Sequence, residues 1–249
     1  MRYGICHLSI VPMRFEPSDR SELVNQMLYG EYFKLLEYRK NWSRIRLAHD
    51  GYEGWIDNKQ FVEIDEQQYA FAKAQTEQLA SDPVQFAIDE HQSLTTVVMG
   101  SSIHTISLLK SSFEGTTRQG QTDRSQLIQT ALLYLKSPYM WGGKTPFGID
   151  CSGFTQMVYR LNGFVLQRDA SQQAAQGEAL SFIEESEPGD LAFFDNQDGA
   201  IVHVGIILED NYIIHAHGEV RMDRLDHSGI YNVHKRSHTH KLRVIKKII

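Results

Sequence analysis

The sequence predicts an α+β protein in which one or two small β-barrels precede a larger C-terminal domain. Three observations carry this. Before residue 65, apolar and polar residues alternate in short runs parted by turn residues; Ile45 and Leu47 alternate with Arg44 and Arg46, the period of a half-buried strand. After Asp123, Leu127, Ala131 and Leu135 recur at helical spacing, with Ile128 and Leu132 alongside. From residue 190 onward the apolar runs have strand length, and helices followed by antiparallel strands read as α+β.

Composition bounds the rest. A chain of 249 residues and 28.6 kDa has room for one large domain or two to three small ones. With 41% hydrophobic and 22% charged residues it has the make-up of a soluble globular protein. Its net charge of −6 is mild and its Lys and Arg are scattered, so no nucleic-acid partner is expected. No apolar run approaches the roughly 18–20 residues of a membrane span. The first residues, MRYGICHLSIVPMRF, lack the long apolar core of a secretory leader, so the expected compartment is the cytoplasm; a removed leader would place the protein in the periplasm or at the cell surface. Two cysteines are too few for a disulfide scaffold, and Cys6 reads as a small buried hydrophobe in a first strand. Oligomeric state is not written in the sequence.

Taken in order, residues 1–64 read as short strands. Glu31–Arg39 and Trp42–Ala48 are parted by Lys40-Asn41, and a turn at His49-Asp50-Gly51 leads into Tyr52–Asp57. Strands at this spacing make a small barrel, and the spacing with its Gly-Trp-Ile ending resembles a bacterial SH3-like domain. Residues 65–80, rich in Gln, Ala and Glu, read as a linking helix. Residues 81–120 read as a degenerate second SH3-like unit, bounded by the polar stretch Thr116–Thr122. A domain over 121–249 follows, its first helix capped by Thr122 or Asp123 and ended by Ser137-Pro138. Its expected strands are Asp190–Phe194, Ile201–Leu208, Tyr212–His217 and Lys241–Ile249.

The chemistry concentrates in Tyr139–Phe154, YMWGGKTPFGIDCSGF. Gly142, Gly143, Pro146 and Gly148 exclude a helix before Asp150. Beyond it, Phe154, Val158 and Leu161 recur at helical spacing and Gly163 suits the stop. Asp150 is a good N-cap, which puts Cys151 at the first helical position. There the free amides and the helix dipole favour a thiolate, and a depressed thiol pKa is expected. The partner is His203 in AIVHVGIIL. If Glu209–Asn211 form a three-residue hairpin loop, Leu208 pairs with Tyr212 and Gly205 with His215, and His203, His215 and His217 share one face. A two-residue loop would turn His215 to the other face, so the register leaves the choice of orienting residue open. A base and its orienter on a sheet face, opposite a helix bearing a thiol, is an arrangement for nucleophilic catalysis.

DCSGF with WGG before it, PGDLAFF at Pro188–Phe194, HVGI and the later IIHA resemble, in order, the NlpC-type family of bacterial cell-wall cysteine peptidases, over about residues 122–249. The resemblance implies a papain-like fold, Cys151 as nucleophile, His203 as general base and His215, rather than His217, as the residue orienting His203. It implies Tyr139 near the oxyanion site, Asp150 and Ser152 along the substrate groove, and Asp169, in QRDASQQ, meeting the substrate amine. Ala170 departs from the Ser expected after that Asp in relatives with an SH3-like domain. In relatives of this layout the first barrel closes the groove with an acidic and an aromatic residue, matching Glu22 and Tyr52, with Trp55 as the alternative to Tyr52. The implied substrate is a murein-derived peptide with a free N-terminal L-Ala, cut at the γ-D-glutamyl–L-diamino acid bond during cell-wall recycling.

Other readings are weaker on their residues. An amidase or acyltransferase would use the same triad, and a wall-binding module would not need it. His234, His238 and His240 read as surface histidines, since no Cys or carboxylate partner completes a zinc set; no metal or organic cofactor is expected. Gly143-Lys144-Thr145 imitates the end of a phosphate loop, but Pro138 and Pro146 stand where that loop needs a glycine and a helix.

Overall fold

The computed structural model describes residues Met1–Ile249, which divide into two compact units: Met1–Gln121 with Trp141–Thr145, and Thr122–Met140 with Pro146–Ile249.

In the first unit, β1 (Arg2–Ile5), β2 (Ile10–Arg14), β3 (Leu23–Leu28), β4 (Tyr32–Tyr38), β5 (Trp42–Leu47), β6 (Glu53–Asp57) and β7 (Val62–Ile64) form one antiparallel sheet in the order β3-β2-β6-β5-β4-β1-β7. The alternation read in β5 decides its faces. Ile45 and Leu47 are buried among Val11, Met13, Met27 and Phe33, whereas Arg44 and Arg46 point out and both pair with Glu53. Burying such an aliphatic side chain contributes about 1.5–3 kcal/mol, while exposed ion pairs add little. Cys6 sits in this core as expected.

Helix α1 (Glu66–Ala74) starts at a capping box between Asp65 and Gln68. It covers only part of residues 65–80, because β8 (Leu79–Ala80) already belongs to the next layer. Over 81–120 the strands β9 (Val84–Asp89), β10 (Leu94–Val98) and β11 (Ser111–Phe113) make a three-stranded sheet, and β12 (Thr117–Arg118) pairs with β8. Their small core gathers Ala80, Ala87, Val97 and Ile103 around Tyr29.

The segment Trp141–Thr145 belongs to this first unit, not to the domain that flanks it in sequence. Gly142 has φ +75°, and a Cβ there would lie 2.5 Å from the Leu23 carbonyl oxygen, so glycine is required. The Trp141 indole N–H donates to Glu22 Oε1 at 2.6 Å. Lys144, at the start of β13 (Lys144–Thr145), is fully buried with its Nζ 3.1 Å from Glu31 Oε1. The lysine of the false phosphate loop is therefore a buried ion-pair partner.

The second unit opens with α2 (Arg124–Leu132), capped by Asp123, whose carboxylate accepts from Gln126 N. It ends before Ser137, the chain passing through turns with Lys136 at φ +70°. After β14 (Gly148–Ile149) comes α3 (Cys151–Leu161), and Gly163 at φ +81° follows its end. A four-residue α4 (Ala170–Gln173) leads to β15 (Glu178–Leu180), β16 (Leu191–Asp195), β17 (Ile201–Ile207), β18 (Tyr212–His217), β19 (Glu219–Asp226), β20 (Gly229–Asn232) and β21 (Ser237–Lys247). These seven pair antiparallel in the order β15-β21-β16-β17-β18-β19-β20, and β20 also pairs with β21, so β16–β21 close into a six-stranded ring. Closure leaves those strands no open edge. β19 and β20, absent from the sequence reading, are the strands that complete it. α3 packs on β17 and β18.

Candidate active site

Cys151 is the first residue of α3, and Asp150 is its N-cap, accepting from Gly153 N at 2.6 Å. The cap is itself fixed: the buried Arg168 donates from Nη1 and Nη2 to the two Asp150 oxygens at 2.9 and 2.7 Å, and from Nη1 to Ser152 Oγ at 3.0 Å. A bidentate pair of this kind sets orientation as well as energy. The side chains of Asp150 and Ser152 are thus committed to Arg168 and buried. Gln173 ties α4 to the same turn, donating to the Ser152 carbonyl at 3.0 Å and accepting from Thr155 Oγ1 at 2.7 Å. Asp169, half-buried, precedes α4, and its own amide donates to Gln172 Oε1.

The backbone amides of Val204 and Ser152 favour the Cys151 anion. The first of these belongs to β17, one residue beyond His203. Even so, burial pushes the thiol up to about 12, reinforced by the Asp150 carboxylate and opposed by those amides and Arg168. The depressed pKa expected from the helix start is not what this site gives: desolvation of the anion outweighs the amides. Tyr139, half-buried, is also raised to about 12, by burial first and then by the Cys151 and Asp150 anions, so its phenol keeps its proton.

On β17, His203 Nε2 lies 2.8 Å from His215 Nδ1, and both rings are buried. The register is that of the three-residue loop: Ile207 pairs with Ile213, Ile206 with Ile214, and Leu208 N donates to Tyr212 O. His203, His215 and His217 share a face, and the hydrogen bond selects His215. Gly205 permits it, because a Cβ there would stand 2.9 Å from His215 Cβ. His215 Nε2 continues to Asp223 Oδ2 at 3.1 Å, and Arg221 meets both Asp223 oxygens at 2.8 and 3.0 Å. Burial lowers both histidines below the ordinary imidazole value; for His203 the neighbouring His215, His240 and His217 add to the effect.

Asp223 and His240 escaped the sequence reading. His240 is not a surface histidine: its ring stacks on that of His203 with centroids 4.2 Å apart, and burial lowers it to about 4. His234 and His238 are exposed, and His238 pairs with Asp226. A signal for Asp223 did exist. His217-Gly218-Glu219 is a tight turn, with Gly218 at φ +75°, that folds RMD back along His215. Glu22 and Tyr52 lie in the first unit, Glu22 exposed and Tyr52 packed at the edge of the barrel core. No group of three or more His, Cys, Asp or Glu side chains is arranged to hold a metal ion, and no helix is long and apolar enough to cross a membrane.

Comparison with known proteins defines the class first. Residues 136–239 match the NlpC/P60 family and residues 13–61 the bacterial dipeptidyl-peptidase SH3 domain. The chain is 30% identical over 245 residues to dipeptidyl-peptidase 6 of Lysinibacillus sphaericus, covering 85% of this chain and 87% of that one. It is 28% identical over 232 residues to γ-D-glutamyl-L-lysine dipeptidyl-peptidase of Bacillus cereus, covering 80% and 68%. A crystal structure of an NlpC/P60 family protein from Bacillus cereus ATCC 10987 shares the fold with a TM-score of 0.79 at 18% identity, over 99% of both chains. This chain belongs to the NlpC/P60 family and carries a bacterial dipeptidyl-peptidase SH3 domain.

Proposed function

We propose that this protein is a cysteine endopeptidase that cuts the γ-D-glutamyl–L-diamino acid bond of murein stem peptides with a free N-terminal L-Ala, in the cytoplasmic recycling of cell-wall peptides. The observation that carries the reading is Cys151 at the start of α3, which packs on β17, where the Val204 amide favours its anion and the adjacent His203 has its Nε2 bound to His215. That leaves His203 Nδ1 as the nitrogen for the thiol proton. With a neutral thiol and a neutral imidazole at rest, the proton moves as Sγ attacks the carbonyl carbon. The tetrahedral oxyanion collapses to a thioester as His203 returns the proton to the departing amine. Water then attacks the thioester, giving its proton to His203, which passes it back to sulfur. The protonated Tyr139 phenol is a donor suited to the oxyanion. We assign the domain that carries this chemistry a papain-like fold.

Family membership supports the substrate class, since relatives are named as γ-D-glutamyl-L-lysine dipeptidyl-peptidases. Within it we assign Asp169 to recognition of the substrate amine. Mass spectrometry of products from L-Ala-γ-D-Glu-L-Lys and its N-acetyl form is the test. Wild type should release L-Ala-γ-D-Glu from the free peptide and strongly prefer it, and Asp169→Asn should lose much of that preference. Cleavage only at a muramoyl–alanine bond would replace the reading with an amidase; equal cleavage of the two peptides would remove the amine-recognition role.

A further inference from the structure

A histidine in the orienting position poses a problem that an amide there would not. An Asn or Gln can present a carbonyl oxygen, which only accepts, whereas a neutral imidazole nitrogen is a donor or an acceptor according to its tautomer. One proton lies between His203 Nε2 and His215 Nδ1 at 2.8 Å. Were it on His215, the proton of neutral His203 would occupy Nδ1, and the base would have no lone pair for the thiol. Because burial keeps both rings neutral near pH 7, the tautomer decides whether His203 can act.

We infer that Asp223 is a positioning residue that fixes this tautomer through His215. The inference rests on the reading of His203 as base. An ionised carboxylate only accepts, so the Asp223 oxygen 3.1 Å from His215 Nε2 puts the His215 proton on Nε2. His215 Nδ1 is then bare and accepts from His203 Nε2–H, and His203 Nδ1 is left basic. Arg221 completes the arrangement from the same strand. It holds Asp223 ionised: burial works against the anion, but the hydrogen bonds from His215 and Arg221 keep its carboxyl below the ordinary range. The other groups around His215 are His217, stacked with centroids 6.2 Å apart, and His240, edge-on at 5.7 Å. The two ring nitrogens of His215 have His203 and Asp223 as their partners.

The informative variant is Asp223→Asn. Arg221 would claim the only oxygen of the new amide and turn its NH2 toward His215 Nε2, which favours the wrong tautomer. With the tripeptide as substrate, kcat should fall by ~10²-fold with KM little changed, short of the ~10⁴-fold seen when a directly orienting carboxylate is replaced by its amide. Nitrogen-15 spectra of histidine-labelled protein at pH 8 should show the His203 proton moving from Nε2 toward Nδ1, a readout that needs no turnover. Asp223→Glu should restore both. In a His215→Gln background, where the orienter's tautomer no longer exists, Asp223→Asn should change kcat by no more than about 2-fold, a non-additivity that a merely structural role would not produce. An equal loss in both backgrounds, or an unchanged His203 tautomer in Asp223→Asn, would overturn the inference. Should Cys151→Ala retain activity while the tautomer shifts as expected, the failure would lie with the catalytic reading instead.

Discussion

The two cysteines of this protein are both buried, and burial is the leading cause that raises the pKa of each thiol. Cys6 lies in the barrel core among Val11, Met27 and Phe33, at the end of β1. Cys151 stands at the start of α3, where two backbone amides favour its anion, with the Tyr139 phenol in electrostatic reach and the His203–His215 pair at the neighbouring strand position. Resting acidity therefore does not separate the barrel thiol from the proposed nucleophile. In the proposed mechanism the separation lies in what can accept the proton at the moment of attack and what can hold the charge that develops.

The strongest way to break this comparison is to delete each sulfur in turn. Cys151→Ala should lower kcat by ~10⁴-fold or more, whereas Cys6→Ala should leave kcat intact and cost about 1 kcal/mol of stability, read by urea unfolding. Full activity in Cys151→Ala would end the distinction. Alkylation by iodoacetamide sharpens it. With the Cys151 thiol raised, its thiolate fraction is small at pH 7, so labelling should quicken about tenfold per pH unit from pH 7 upward. A plateau below pH 7 would reveal a preformed thiolate–imidazolium pair, and labelling of Cys6 should await unfolding. The smallest effect concerns His240. His240 is one of the causes that lower His203, so His240→Ala should raise the His203 pKa and move the acid limb of kcat/KM to higher pH. The fall in kcat at pH 8 should stay below about 10-fold. An unmoved limb would make the stacked ring a packing element only.

Much of the thiol's setting was legible because it is local. Asp150, Cys151 and Gly163 follow from capping and spacing within a dozen residues. The hairpin carrying His203 and His215 follows once the loop length is fixed, and Gly205 marks where the second ring leans across. The surface reading of His240 rests on the lack of a zinc partner, a test that says nothing about which face of β21 it occupies, and strand parity does not survive bulges. β21 slips register against β16 between Phe193 and Phe194, and against β20 between Ile230 and Tyr231, so alternation along KLRVIKK does not report which residues face inward. Arg168 was read only as the neighbour of Asp169. Its bidentate hold on Asp150 depends on a return of the chain that no local pattern encodes. Lys144 and Glu31 are harder still, a pair formed across 113 residues.

That last pair has a bearing on how the protein is made. Lys144 neutralises a Glu31 that is only 2% exposed, and Trp141 and Gly142 lie against Glu22 and Leu23, yet all three residues are translated after the helix Arg124–Leu132 of the other unit. As the chain emerges from the ribosome, the barrel's residues appear first but its last buried cation arrives more than twenty residues after Gln121. Removing one member of a buried pair costs about 3–5 kcal/mol. A nascent chain stalled near residue 121 would hold its barrel in an unfinished state until Trp141–Thr145 has been made.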